Sequence, residues 1–253
     1  MMKNIKFDPM PEQRYEALLI DLDGTLIELE LEQFISAYFK ALTVHFAELY
    51  PPEQFSGHLL RSTKTIISHR EPDQTNEAVF FDDFCSRVGI DRAAIDPLLH
   101  IFYRDEFPRL RSCSASRPDA RKVLEAAQRQ GLKLVLATQP IFPRSAALER
   151  LSWGGLSEDY FDLITTLENM HSCKPHPEYY LEIASRIGVS PEQCLMAGND
   201  TVEDISAAKT GMGTFLVEGG IIDRGEAALP SDYRGTLAEL AAFIENDFPP
   251  AKV

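Results

Sequence analysis

Residues 17–26 constrain the fold more than any other stretch of the chain. The run Ala17-Leu18-Leu19-Ile20 is uninterrupted aliphatic and ends in Asp21-Leu22-Asp23-Gly24-Thr25. A short apolar run closed by a glycine reads as a buried strand. Strand alternation points Asp21 and Asp23 to one side, just where the strand runs out. In open parallel α/β sheets, ligands bind outside the carboxyl ends of strands. Two carboxylates side by side there are costly: at about 4 Å they repel by roughly 4 kcal/mol at an effective dielectric near 20. A cation or a proton has to compensate them. Taken alone, the segment also reads as an Asp- and Gly-rich surface turn, so the rest of the chain has to decide.

After Thr25 the pattern turns helical. Phe34, Ala37, Tyr38, Ala41, Val44 and His45 recur at helical spacing. Pro51-Pro52 breaks that helix, and a second is expected over 53–68. Thr75 reads as an N-cap for a third over 77–88, ended by Gly89. A fourth is expected over 91–107, with Pro97 as a kink or restart.

From Pro118 the pattern alternates between helix and strand. Helices are expected over 118–130, 143–151, 177–187, 202–210 and 237–244, and strands over 132–137, 163–165, 194–197 and 214–217. Repeated strand–helix units imply a parallel sheet covered on both faces. The first strand belongs to that sheet, so the helical block is an insertion. The expected architecture is α/β: a Rossmann-like parallel sheet with helices on both faces, formed by residues 1–25 and 113–253, plus an inserted α-helical cap domain over 26–112.

A chain of 253 residues can bury one large core, or one core and a smaller inserted unit. Its net charge of −14 argues against a nucleic-acid partner, whose phosphates need Lys and Arg. It also argues against an anionic membrane surface. A small phosphorylated substrate remains compatible, because one lysine and a metal can reverse the local field. No apolar stretch is long enough to span a bilayer, and the polar stretch 1–16 reads as lacking a secretory leader. The four cysteines show no paired spacing, which suggests reduced thiols and a cytoplasmic location. His171-Ser172-Cys173-Lys174-Pro175-His176 has no second Cys/His pair at finger spacing, which argues against zinc. Oligomeric state is not legible in the sequence.

Further polar signals follow strand ends. Thr138 follows the second large strand, Lys174 lies in a loop before Pro175, and Asp200 and Asp204 follow Cys194–Ala197 in Gly198-Asn199-Asp200-Thr201-Val202-Glu203-Asp204. Each alone reads as a cap or a loop residue. Together they bring a hydroxyl, a cation and several carboxylates to one edge of one sheet.

This ordered set, Asp21-Leu22-Asp23-Gly24-Thr25, Thr138, Lys174-Pro175 and Gly198-Asn199-Asp200 with Asp204, resembles the motifs of the haloacid dehalogenase (HAD) superfamily. The insertion between the first and second motifs resembles the subgroup with a helical cap there. The resemblance covers nearly the whole chain and implies fold and chemistry, not substrate. It implies that Asp21 is a nucleophile, forming an aspartyl-phosphate; a carboxylate, already ionised at neutral pH, needs no base for this. Asp23 would protonate the leaving oxygen and later take a proton from water. Thr138 would donate to the phosphoryl group, and Lys174 would offset the charge on Asp21. Asp21, Asp200 and the main-chain carbonyl of Asp23 would hold Mg²⁺, a hard cation suited to oxygen ligands. Asp204 and Asn199 would stand behind them, and Gly24, Thr25 and Gln139 would contact the substrate.

Two departures matter. Asn199 intervenes in what is usually a Gly-Asp pair, but the spacing of Asp200 to Asp204 assigns the metal to Asp200. The second motif continues as Gln139-Pro140, which would shape the substrate pocket. An acid at Asp23 argues against dehalogenase or phosphonatase activity. The implied function is a Mg²⁺-dependent phosphatase for a small phosphorylated metabolite, with a phosphomutase or a catalytically idle binding module as alternatives. In the cap, Arg61, Lys64, His69 and Arg70 are candidates for substrate anions, against the simpler reading of a solvated helix face.

Overall fold

The computed structural model describes residues 15–248. The expected leader-free start falls mostly on residues 1–14, outside the described residues, as do the last five of the expected core unit. Strand β1 (Ala17–Ile20) lies inside a six-stranded sheet of order β5-β4-β1-β6-β7-β8. Its partners are β4 (Lys133–Leu136) and β6 (Cys194–Gly198), both parallel. Strands β5 (Leu163–Ile164), β7 (Gly213–Val217) and β8 (Tyr233–Gly235) complete it, again in parallel.

Strand alternation divides the core between the two faces. Leu18 and Ile20 of β1, with Leu134 and Leu136 of β4, pack against helices α5 (Ala120–Arg129) and α8 (Leu237–Glu245). Ala17 and Leu19, with Val135 and Ala137, pack against α7 (Pro177–Ile187) through Tyr179, Tyr180 and Ile183. Helix α8 starts on a capping box: Thr236 accepts from Glu239 N, and the Glu239 side chain accepts from Thr236 N. Helix α6 (Arg144–Trp153) contributes Ala147 and Leu151 to the first of these clusters.

The helical excursion leaves the sheet after Thr25 and is bracketed by an antiparallel pair, β2 (Ile27–Leu29) and β3 (Ser114–Ser116). Between them lie α1 (Leu31–His45), α2 (Pro52–Ser68), α3 (Asn76–Val88) and α4 (Arg92–Ile101). Thr75 caps α3 as expected, accepting from Ala78 N at 3.2 Å. The fourth expected helix differs from the sequence reading. Pro97 sits inside α4 without ending it, and the change comes later, in a π-helical turn over Phe102–Glu106 and a 3-10 stretch over Phe107–Cys113.

The block's own core is aromatic, with Phe34, Tyr38, Phe46, Phe55, Phe102 and Phe107 buried together. That cluster extends into the sheet unit. Phe107 stacks on Trp153 with centroids 5.6 Å apart, and Phe34 meets the same indole edge-on at 6.1 Å. Asn76, fully buried at the start of α3, donates from its side chain to the Pro140 and Ser172 carbonyls, and its N–H donates to Met170 O. The block therefore has contacts on the sheet unit well beyond its two connecting strands.

Candidate active site

The site is built from loops at the carboxyl edge of the sheet. At the end of β1, Asp21 N donates to Ala197 O at 3.0 Å, which ties the strand end to β6. The chain then turns back tightly: Leu22 O accepts from Thr25, Leu26 and Ile27. Gly24 sits at φ +81°, and a Cβ there would lie 2.4 Å from Asn199 Nδ2, so both conformation and space require glycine. Leu22 is fully buried between the two acids. Asp21 and Asp23 both line one cavity of about 690 Å³, as the alternation argument requires.

Each acid meets a buried cation. Lys174 Nζ donates to Asp21 Oδ1 at 2.9 Å and to Asp204 Oδ1 at 2.6 Å, with its side chain 1% exposed. Burial works against its charge, but Asp204 and Asp21 outweigh it and hold the ammonium well above its ordinary pKa. Arg150, from the buried side of α6, pairs with Asp23 Oδ2 and places its guanidinium over the Phe142 ring at 4.6 Å. Loss of water pushes the Asp23 carboxyl up, with Arg150 pulling the other way. Asp23 Oδ1 and Arg150 Nη2 are both buried without a partner, so the two groups keep capacity for a further contact.

The remaining loops lock the first together. Gln139 accepts from Lys174 N at 3.0 Å and donates to Lys174 O at 3.1 Å, holding the lysine loop from both sides. Thr138 is buried, and its carbonyl accepts from Thr165 Oγ1 and Tyr179 OH. Asp204 Oδ2 accepts from Asp200 N at 2.8 Å. A Cβ on Gly198 would lie 2.2 Å from the Asp204 carboxyl carbon, so this approach also needs glycine. Asn199 is spent on structure: its side chain donates to Gly220 O at 2.6 Å and accepts from Thr25 Oγ1 at 3.0 Å.

Asp21, Asp23, Gly24, Thr138, Gln139, Asn199, Asp200 and Asp204 thus come together around one cavity, with Lys174 against Asp21. Thr25 does not join them; it is fully buried and its hydroxyl faces Asn199. Nor do the basic residues Arg61, Lys64, His69 and Arg70 of the helical block line this cavity. Arg61 and Lys64 are exposed on α2, and Arg70 pairs with Glu178. His171, Cys173 and His176 have separate partners in Glu182, Asn76 and the Ile67 carbonyl. The sequence reading missed Arg150 and Arg224. A signal for Arg150 existed: it falls one helical turn from Ala146 and Ala147, on an apolar face where a cation has to be paired. Arg224 carries none, since it lies in an irregular loop.

The donor set suits a hard divalent cation. Two carboxylates, Asp21 and Asp200, line the same cavity from adjacent strand ends, and carboxylate oxygens are what such a cation takes. Among the described residues no group of three His, Cys, Asp or Glu side chains is arranged around a common metal position. Asp200 is already engaged. Its Oδ1 accepts from Val202 N and Glu203 N, and its Oδ2 accepts from Arg224 Nε at 2.9 Å. A metal at Asp200 would therefore compete with the Arg224 guanidinium.

With this geometry in view, the class follows: the chain belongs to the haloacid dehalogenase-like hydrolase family, whose model matches residues 15–211. It is 28% identical over 242 residues to pyrophosphatase PpaX of Bacillus pumilus, an alignment covering 94% of this chain and 100% of that one. It is 37% identical over 199 residues to the phosphorylated carbohydrates phosphatase of Thermotoga maritima, covering 77% and 81%. The crystal structure of a HAD phosphatase from Thermococcus onnurineus superposes with a TM-score of 0.56 at 24% identity, covering 90% of this chain and 97% of that one. That likeness shows the fold. The protein is a HAD-family hydrolase, and its relatives named here are phosphatases. No helix among the described residues is long and apolar enough to cross a membrane.

Proposed function

We propose that this hydrolase is a Mg²⁺-dependent phosphatase of a small phosphorylated metabolite, acting through an aspartyl-phosphate on Asp21. The observation that carries the reading is the pair Asp21 and Asp23 on one cavity, each acid against its own buried cation. An Asp21 oxygen attacks phosphorus, and the bond from phosphorus to the substrate oxygen breaks. Asp23, raised by burial, gives its proton to that leaving oxygen. Water then attacks the acyl phosphate, and Asp23 takes back a proton. Lys174 keeps Asp21 oriented and offsets the charge that gathers there. Thr138 donates to the phosphoryl group from the end of β4. Asp21, Asp200 and the Asp23 carbonyl would hold Mg²⁺, which when bound lowers the repulsion between carboxylate and phosphate.

Residues 26–112 act in this reading as a cap on the core formed by 1–25 and 113–253. In support, Leu29, Leu31, Phe34, Ile35 and Ile67 of that segment line the same cavity as Asp21. Small substrates fit such a covered site, and phosphoproteins or nucleic acids do not. A cytoplasmic location goes with it: Cys85, Cys113, Cys173 and Cys194 are all free thiols, as a reducing compartment keeps them. The test is phosphate release from an aryl phosphate with Mg²⁺. The unmodified protein should turn over, and Asp21→Asn should fall to background with unchanged circular dichroism. Near-normal turnover in that variant would remove Asp21 as nucleophile.

A further inference from the structure

Arg117, Arg150 and Arg224 all line the cavity of Asp21 and Asp23. Two of these guanidinium groups are matched by carboxylates. Arg150 pairs with Asp23, and Arg224 pairs with Asp200 and Glu203. Arg117 differs. Among the described residues it is held by main-chain carbonyls: Nη1 donates to Glu218 O and Nη2 to Gly219 O. Such dipoles fix the position of a guanidinium without cancelling its charge. An arginine carries a fork of N–H donors on three nitrogens, and here the Nε is buried without a partner. Burial pushes the Arg117 guanidinium below its ordinary pKa, with the exposed Glu28 pulling the other way. The side chain still keeps its charge at neutral pH. A half-buried cation with an orphaned donor lacks an acceptor, and an anion supplies one.

The fold sets where this cation stands. Arg117 follows β3, whose pairing with β2 fixes the neck between the helical block and the sheet unit. A Cβ on Gly220 would lie 2.8 Å from Arg117 Nη2 and 3.0 Å from Gly24 O. Glycine there lets the guanidinium settle close to the residue that follows Asp23. Asn199 Nδ2 holds the same turn, donating to Gly220 O at 2.6 Å. On the rim, Glu28, Glu30 and Glu32 are exposed, where water and salt weaken their repulsion. They oppose a long leaving group with its charge at the mouth more than a short one held at Arg117.

We infer that the substrate carries a second anionic group, a carboxylate or a phosphate on a short leaving group, and that Arg117 binds it. The inference rests on the phosphatase reading and adds the class of leaving group and the residue that selects it. A hydrogen bond between charged partners is worth roughly tenfold or more in binding. Binding energy of this kind from a group remote from the reacting bond enters kcat/KM.

The test measures phosphate release with Mg²⁺ on two matched pairs. Phosphoglycolate is set against its neutral amide, and 1,3-propanediol bisphosphate against the monophosphate. With the unmodified protein, the anionic member of at least one pair should have the higher kcat/KM, by roughly tenfold or more, and that pair identifies the anion. Arg117→Gln should cost the anionic member about tenfold, mainly through KM, and the neutral member less than about twofold. Arg117→Lys, which keeps the charge and loses the fork, should fall between them on the anionic member. No preference for the anionic member in either pair overturns the inference and leaves the phosphatase reading intact, and this comparison needs no variant. Equal losses on both members in a folded Arg117→Gln protein also overturn it, leaving Arg117 as a support for the Gly219 turn. Absence of release from every ester overturns the phosphatase reading itself, and the inference with it.

Discussion

The sheet edge and the helical block use the same kinds of interaction for opposite ends. At the edge, charged groups are buried: Lys174 is 1% exposed between Asp21 and Asp204, and Arg150 is 1% exposed against Asp23. In the block, the interior is aromatic and the ion pairs lie outside, as with Arg109, 70% exposed beside Glu106. Exposed pairs are worth about 0–1 kcal/mol, because water screens them and long side chains lose entropy. Removing one partner of a buried pair costs about 3–5 kcal/mol, because the other charge is left uncompensated. The edge therefore keeps a charged arrangement that depends on being complete, whereas the block is held by packing.

Four substitutions would break or sharpen that contrast. The largest effect belongs to Lys174→Met, which strands two carboxylates. It should cost about 3–5 kcal/mol in urea unfolding and abolish phosphate release. A cost below about 1 kcal/mol would mean that the edge behaves like the surface. In the block, Ile66→Ala empties a fully buried position packed on Val79 and Leu167, and about 2–4 kcal/mol should be lost. Since Leu167 lies outside the block, equal loss of stability by a probe on the sheet and a probe on the helices would show the two regions unfolding together.

Arg224→Ala tests the edge more finely. Freeing Asp200 Oδ2 from its guanidinium should tighten Mg²⁺ binding by up to about tenfold in titration calorimetry. Unchanged or weaker binding would mean that Asp200 is not where the ion competes. The smallest effect is expected from Arg109→Ala, whose loss should stay within about 0.5 kcal/mol. A larger cost would show that the block's surface charges hold it together after all.

Parts of this were legible from local pattern. The aliphatic run 17–20 and the alternation of Leu134, Val135 and Leu136 specify buried strands, and the structure divides their side chains between the two faces as alternation demands. Thr75 announced the start of α3, and Gly89 its end. Of the short strands, β5 was legible, expected over 163–165, and three others were not. β2, β3 and β8 have three residues each, too few for a period to register, and exist because a partner strand is alongside. The helix expected over 202–210 instead becomes a turn followed by a 3-10 stretch over Ile205–Thr210. There Asp200 Oδ1 takes the N–H groups of Val202 and Glu203, holding the chain in the turn.

For the site, the sequence by itself determined which residue types stand at strand ends, because strand period and glycine placement are local properties. Asp21, Asp23, Thr138 and Asp200 could be named as candidates for that reason. Tertiary structure alone decided what each one touches. Lys174 reaches Asp21 across 153 residues, and Arg150 reaches Asp23 across 127. It also turned Asn199 and Thr25 toward each other. Periodicity carries which side of an element is buried. It carries nothing about which distant loop arrives opposite, because that depends on how the helices pack and where each crossover returns to the sheet.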